Sequence, residues 1–210
     1  MPEDSRPPSG KLKQVRILLW ALVALAIVGV AALYLVRRAP ANAPAQHGEP
    51  VTAAIGGPFT LIGADGKPFS SQKLAAKPYA IYFGFTRCGD VCPLTLGRLA
   101  KLREQAGGGG KLNIVFVTID PAHDGPKEVG QYATLFDTPI IGLTGSQAQI
   151  DQVKKQYGIF AQPSPHPVAG KEMEHSATVQ LFDRNGNFVA TIDTQEPDSA
   201  ALAKLKRVIA

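Results

Sequence analysis

Twenty consecutive residues near the N-terminus, Ile17 to Val36, carry no charge and are almost entirely aliphatic. An α-helix rises about 1.5 Å per residue, so this run covers the roughly 30 Å hydrocarbon core of a bilayer. A cleavable signal peptide has a shorter apolar region, and Arg37 and Arg38 close this run instead. A buried helix of a soluble domain would need a large core around it. The run therefore predicts an uncleaved transmembrane anchor over residues 17–36, with processing at the small residues 41–43 as the alternative.

The basic residues that flank the run predict its orientation. Two arginines follow the run, and four basic residues precede it: Arg6, Lys11, Lys13 and Arg16. The positive-inside rule then makes residues 1–16 a cytoplasmic N-terminal tail. We expect a single-pass protein of the inner (cytoplasmic) membrane, with its C-terminal domain in the periplasm or an equivalent exported compartment.

The excess of positive charge also belongs to the membrane flanks. The chain has a net charge of +5, but residues 1–38 hold 6 of the 22 Lys and Arg residues and 2 of the 17 Asp and Glu residues. Residues 39–210 therefore have a net charge of only +1. Because this part lacks the excess of basic residues that phosphate binding requires, we expect no nucleic-acid partner.

A change of composition after the anchor predicts the domain boundaries. Residues 37–50 are rich in Ala and Pro, include His47 and cannot form a core, so they predict a semi-extended linker. Residues 51–210 remain, and a segment of this length suffices for one domain with its own hydrophobic core.

Residues 51–210 alternate between strand-like and helix-like segments. The apolar run Tyr79–Phe85 predicts a strand buried on both faces, and the β-branched run Lys111–Ile119 predicts another. The other segments are predicted strands at 59–62, 67–70, 139–143, 176–182 and 187–192, helices at 93–105, 127–136, 147–157 and 199–209, and a proline-rich loop at 160–174. Alternating βαβ units that end in a hairpin and a helix indicate an α/β sandwich of the thioredoxin type, preceded by the transmembrane helix.

The only two cysteines, Cys88 and Cys92, lie between the first buried strand and the helix that follows it. Unpaired amides and the macrodipole at a helix N-terminus lower thiol pKa values and favour thiolates. On a helix, a spacing of four residues places both side chains on one face, about 5–6 Å apart at Cβ. Both sulfurs can then bind a soft metal ion, and a modest adjustment lets them close a disulfide.

Three interpretations of this cysteine pair differ in what they require. A stabilising disulfide suits an oxidising compartment, but so short a loop removes little entropy from the unfolded chain. A structural zinc site requires four ligands, and the chain has two cysteines and four histidines. Copper(I) accepts thiolates readily, and two thiolates with one imidazole satisfy it. The residues therefore favour copper over a structural disulfide or zinc.

The chain resembles the SCO/SenC family of copper chaperones for cytochrome c oxidase. The resemblance is carried by the Cys-x-x-x-Cys-Pro stretch Cys88–Pro93, by Val117–Pro121 with Asp124, and by Glu174–Ala177 followed by Leu181–Asp183. Two residues depart from the family pattern. Gly89 stands where the family usually has proline, and His123 lies within the acidic block.

The resemblance implies a thioredoxin-like fold in which Cys88, Cys92 and His175 bind copper. It also implies delivery of copper to the dinuclear centre of cytochrome c oxidase. The copper-bearing oxidase subunit and other copper chaperones are then the expected partners. Taken alone, His175 is typical of a partly exposed residue at a strand end, and only the family block makes it a ligand. The loop 160–174 is expected to form a flap or docking surface near the metal.

An enzyme is the alternative to a chaperone. In a membrane-tethered thiol-disulfide reductase acting on exported cysteine proteins, Cys88 or Cys92 attacks a substrate disulfide and the other cysteine resolves the intermediate. Both functions need the two thiols, but only copper transfer needs His175.

Five further residues are weaker candidates. His123 and His166 are expected to be solvated loop residues. Met173 offers a thioether for copper, although packing within its loop is the expected role. Asp120 and Asp124 either support the cysteine loop through hydrogen bonds or form turns beside nearby prolines.

Overall fold

The computed structural model describes residues 9–38 and 55–210, and the chain divides into two compact units, Met1–Val51 and Thr52–Ala210. In the first unit, Ser9–Arg38 forms one helix, α1. Its stretch Lys13–Ala31 is exposed and is long and apolar enough to cross a membrane. The helix begins before the predicted span because the preceding Lys and Gln residues favour helices. Most of the predicted linker, including His47, lies outside the described residues.

The second unit is built on a seven-stranded mixed sheet with the order β2-β1-β5-β4-β3-β8-β9, accompanied by a separate hairpin of β6 and β7. The strands are β1 Thr60–Gly63, β2 Pro68–Ser70, β3 Tyr79–Gly84, β4 Asn113–Thr118, β5 Ile140–Thr144, β6 Ala161–Pro163, β7 Met173–His175, β8 Val179–Phe182 and β9 Phe188–Ile192.

Four helices pack on this sheet. They are α2 Val91–Gln105, α3 Pro126–Ala133, α4 Gln147–Gln156 and α5 Asp198–Ile209, with short 3₁₀ turns at Ser71–Leu74 and Thr134–Phe136. α2 packs against α5, whereas α3 packs on β5, β4 and β1. A capping box between Ser146 and Gln149 fixes the start of α4. Strands and helices alternate along the chain, which confirms the predicted α/β class.

β3 is an interior strand of the sheet, and all six of its residues are buried. It pairs in parallel with β4 and antiparallel with β8, so neither of its edges is free. This environment explains the uninterrupted apolar run that predicted the strand. In α/β sheets, ligands bind beyond the carboxyl ends of parallel strands, and the cysteine loop begins where β3 ends.

Residues 160–174 differ from the prediction of a proline-rich loop. β6 and β7 form an antiparallel hairpin within this segment, in which Ala161 pairs with His175 and Pro163 pairs with Met173. Proline is tolerated at the edge of a two-stranded sheet, where its missing N–H breaks no ladder. Because His175 belongs to β7, the next strand, β8, begins at Val179 and not at 176. The connection between β6 and β7, residues 164–172, is called the flap below.

Two leucines on α2 provide a stability prediction, because Leu96 is completely buried and Leu94 is 68% exposed. We expect Leu96→Ala to lower the free energy of unfolding by about 2–5 kcal/mol through lost burial and a residual cavity. Leu94→Ala should change it by less than about 0.5 kcal/mol. Urea unfolding of the full chain in detergent, followed by the near-ultraviolet circular dichroism of the tyrosines, measures both values. Equal losses in the two variants would contradict this packing.

Candidate metal centre

The two cysteines lie at the carboxyl end of β3. The strand ends at Gly84, the chain turns through residues 85–90, and α2 begins at Val91. Cys92 therefore lies on the first turn of α2, whereas Cys88 lies in the preceding loop. The expectation that the two cysteines share one helix face is thus wrong, because α2 begins at Val91, after Cys88. Both thiols are free and buried, with 6% of Cys88 and 0% of Cys92 exposed.

The N-terminus of α2 makes the two thiols chemically unequal. The backbone N–H of Cys92 donates a hydrogen bond to Cys88 Sγ at 3.4 Å. Hydrogen bonds from the Cys92 side chain and from backbone N–H groups lower the pKa of Cys88, although burial raises it. The pKa of Cys92 is raised, because the neighbouring Cys88 sulfur takes the negative charge and because Cys92 is completely buried. Cys88 is therefore the more readily ionised of the two thiols.

His175 meets this pair from the end of β7. Its Nε2 atom lies 3.6 Å from Cys92 Sγ, and its Nδ1 atom lies 2.9 Å from the Ser176 carbonyl oxygen. Because a carbonyl only accepts, Nδ1 carries the proton and the Nε2 lone pair is directed to the sulfur. Metal-binding histidines are commonly oriented in this way. The imidazole also stands edge-on to Phe85, with the ring centroids 6.0 Å apart.

A buried carboxylate supports the start of the cysteine loop. Asp124 is 0% exposed, and its carboxylate accepts hydrogen bonds from the Thr86 N–H at 2.9 Å, the Thr86 hydroxyl at 2.5 Å and the Thr118 hydroxyl at 2.6 Å. Its backbone carbonyl accepts a further bond from the Thr144 hydroxyl at 2.6 Å. Asp124 therefore ties the loop to the ends of β4 and β5.

Asp120 supports the same loop through Arg87. The Arg87 guanidinium donates to the Asp120 carboxylate at 2.7 Å, and His123 Nδ1 lies 2.9 Å from the same group. Burial raises the pKa of Asp120, but the hydrogen bonds from His123 and Arg87 outweigh it and lower the net value. Of the two roles predicted for the acidic residues, the structure shows loop support for both Asp120 and Asp124.

The flap covers the cysteine loop and is joined to it by two contacts. The Gly89 N–H donates to the Gly170 carbonyl at 3.2 Å, and Arg87 lies 3.5 Å from the Glu172 carboxylate. Together the loop, the flap and β7 enclose a cavity of about 360 Å³, whose lining includes Cys88, His166, Met173 and His175. Met173 and His175 are two residues apart on β7, so their side chains share one face of the strand.

The two other histidines of the described domain lie at the surface. His123 and His166 are exposed, as predicted, although His123 also binds Asp120. Within residues 9–38 and 55–210, no group of three or more His, Cys, Asp or Glu side chains is already spaced as a metal cage. Cys92 and His175 nevertheless contact each other directly, with Sγ and Nε2 3.6 Å apart.

Known proteins resemble this chain in both sequence and fold. The SCO1/SenC family profile matches residues 47–210. The chain belongs to the SCO1/SenC family. Its sequence is 32% identical over 163 residues to mitochondrial SCO2 of Saccharomyces cerevisiae, covering 75% of this chain and 54% of the yeast protein. It is 37% identical to mitochondrial SCO1 homolog 1 of Arabidopsis thaliana, covering 65% of this chain and 42% of that protein. The chain thus spans about half the length of these relatives.

Two solved structures define the fold of this SCO1/SenC protein. Bradyrhizobium japonicum ScoI with copper bound is 36% identical, with a TM-score of 0.65, and the match covers 74% of this chain and 99% of that one. Arabidopsis thaliana ScoI with copper bound is 32% identical, with a TM-score of 0.69, over 74% and 98% of the two chains. The predicted family resemblance and thioredoxin-like fold are confirmed.

Gly89 and Gly170 join the cysteine loop to the flap. Gly89, noted above only as a departure from the family pattern, donates its N–H to the Gly170 carbonyl. Gly170 was not singled out at all. It has a φ of +81°, and a Cβ added there would lie 3.0 Å from Gly89 N. A conformation in the left-handed region beside a close backbone contact requires glycine.

The same substitution should have unequal effects at these two glycines. We expect Gly170→Ala to displace the flap, lower the free energy of unfolding by about 1–3 kcal/mol and accelerate deuterium exchange at the Gly89 amide. Gly89→Ala is the matched control, because its Cβ would meet only Gly170 Cα at an ordinary 3.6 Å. Hydrogen exchange by mass spectrometry and thermal unfolding measure both. Wild-type exchange at Gly89 in the Gly170→Ala variant would show that this contact does not hold the flap.

Proposed function

We propose that this SCO1/SenC protein is a membrane-anchored copper chaperone that binds one copper ion through Cys88, Cys92 and His175. In this proposal it delivers the ion to the dinuclear copper centre of cytochrome c oxidase. The convergence of the imidazole and the buried thiol carries the proposal. Taking zinc bond lengths of about 2.3 Å to sulfur and 2.0 Å to nitrogen as a guide, a shared ion holds these atoms roughly 3.5 Å apart. The observed separation of Cys92 Sγ and His175 Nε2 is 3.6 Å.

The chemistry of the donor set supports copper as the cargo. Two thiolates and one imidazole are soft to borderline ligands that suit copper(I), and three ligands leave its coordination shell open to an incoming one. Cys88 and His175 line the cavity beneath the flap, so a ligand of the recipient protein can approach from that side. Two family members of similar sequence have been solved with copper bound, which agrees with this assignment.

The proposal places the copper site outside the cytoplasm. α1 supplies a candidate membrane span, and the basic residues before it favour an inner-membrane protein with residues 39–210 in the periplasm or an equivalent exported compartment. In that compartment the copper-bearing oxidase subunit is the proposed recipient of copper, and other copper chaperones are proposed partners.

A reporter fusion tests the proposed orientation. Alkaline phosphatase, which is active only after export, should be active when fused after Ala210 and should remain in the membrane fraction. A reporter that works only in the cytoplasm should be inactive at the same position. Activity of the cytoplasmic reporter there would reverse the proposed orientation and separate the site from its recipient.

The thiol-disulfide reductase remains a second candidate because of the unequal thiols. Cys88 combines a lowered pKa with a position in the loop, as an attacking thiolate requires, and Cys92 is close enough to act as the resolving thiol. Disulfide exchange uses these two sulfurs and does not use the His175 lone pair. Substitution of His175 therefore separates the two functions.

We expect His175→Ala to lose copper(I) binding and, in cells with limiting copper, oxidase activity almost as fully as Cys88→Ser. The Cys88 and Cys92 thiols of this variant should still cycle between dithiol and disulfide. His166→Ala is the matched control, because His166 lines the same cavity but is exposed. Anaerobic titration with a chromophoric copper(I) chelator and whole-cell oxidase assays provide the measurements.

The outcomes distinguish the two candidates. The chaperone proposal is rejected if His175→Ala keeps oxidase activity at limiting copper while Cys88→Ser is inactive, and the reductase then takes its place. Added copper should partly restore oxidase activity in both variants, because free ions then bypass the delivery step.

A further inference from the structure

Met173 is the only methionine of the C-terminal domain, and it lines the cavity beneath the flap. The one other methionine of the chain is Met1. Met173 was expected to pack within a loop, but the structure places it on β7, where it pairs with Pro163. Met173 and His175 are half-buried, and Glu174 between them is exposed. The side chains of Met173 and His175 therefore share the inner face of the hairpin.

The proposed copper site can be approached from this cavity. Cys88 and His175 line the cavity, whereas Cys92 is completely buried on α2. His175 is held in place, because its Nδ1 atom binds the Ser176 carbonyl and its ring stands edge-on to Phe85. An additional ligand can therefore reach an ion at these residues from the cavity side, without displacing the buried cysteine.

The other donors that line the cavity differ in how well they suit copper(I). Asp90, Ser164 and Glu174 offer oxygen atoms, which suit hard cations. His166 belongs to the flap and is exposed. Met173 offers a thioether, and soft thiolate and thioether ligands select copper(I). Among the lining residues outside the proposed ligand set, Met173 is therefore the best match for the ion.

The dimensions of the strand and the cavity bring the thioether close to the site. A strand rises about 3.3 Å per residue, so the Cα atoms of Met173 and His175 are roughly 7 Å apart along one face. The cavity volume of about 360 Å³ is near the lower end of the range for ligand pockets, so its lining side chains lie near one another. Methionine has three rotatable bonds and a polarizable sulfur, which let the side chain adjust to an ion without a backbone shift.

We propose that Met173 is a fourth, displaceable copper(I) ligand, whose thioether fills the position that Cys88, Cys92 and His175 leave open. This inference rests on the proposed function, because it concerns the same ion. A thioether carries no charge, so it binds copper(I) more weakly than a thiolate does. When a recipient protein supplies a ligand, the new bond to copper forms as the bond to the Met173 sulfur breaks, and no electron is transferred.

Selenomethionine labelling tests this bond directly, because it replaces sulfur by selenium at Met1 and Met173 alone. X-ray absorption at the selenium edge detects a copper atom bound to the label. The full chain in detergent, reduced and loaded with copper(I), should show a selenium–copper contribution. The Met173→Leu chain, which carries the label at Met1 only, should lack it.

The outcomes of this labelling experiment separate the inference from the proposed function. A wild-type chain that holds copper(I) without a selenium–copper contribution would refute the role of Met173 and leave the chaperone proposal standing. A contribution that persists in Met173→Leu would assign the contact to Met1 and refute that role as well. If the wild type takes up no copper(I), the proposed function fails, and this inference fails with it.

Copper(I) affinity provides an independent measurement, with a chromophoric chelator as competitor. Met173→Leu should change the thermal stability of the metal-free protein little, because leucine and methionine have similar volumes. Its affinity should fall about tenfold, the lower end of the effect of supporting groups at metal sites. Val168→Ala is the matched control and should keep the wild-type affinity, because Val168 lines the same cavity, is 58% exposed and offers no donor. Equal affinities in the two variants would overturn the inference.

Discussion

The buried Asp124 carboxylate fixes the start of the cysteine loop, and the geometry of the site depends on it. Its hydrogen bonds from Thr86 and Thr118, and that from Thr144 to its carbonyl, join the ends of three neighbouring strands. A carboxylate that is removed from water must have such donors, so this cluster tolerates little displacement. These hydrogen bonds therefore fix the direction in which the loop leaves β3, and none of them involves a cysteine.

The site combines a rigid side with a more weakly attached side. Cys92 lies on α2, against Gly84 of β3, and is completely buried. His175 comes from a two-stranded hairpin outside the main sheet, and the flap above it is held by the Gly89–Gly170 hydrogen bond and the Arg87–Glu172 ion pair. Small hairpins are marginally stable by themselves. Under the proposed chaperone function, this arrangement suits copper release, because the side with fewer contacts is the easier one to displace from the thiols.

Hydrophobic pattern and turn chemistry predicted most of the main sheet and its helices. The runs at 79–85 and 111–119 are strands β3 and β4, and the predicted helices lie within a few residues of α2 to α5. The segment 160–174 was predicted incorrectly, because its prolines indicate a loop and its hairpin depends on long-range pairing with His175.

The sequence by itself determined the candidate membrane span, the alternation of strands and helices, and the family blocks that named Cys88, Cys92 and His175. These features are local, since they depend on composition, periodicity and spacing. Only the tertiary structure decided that His175 meets Cys92 across 83 residues of chain, that its Nδ1 proton is bound to Ser176, and which groups surround each sulfur. Such contacts depend on how distant segments pack around β3, and no local pattern records them.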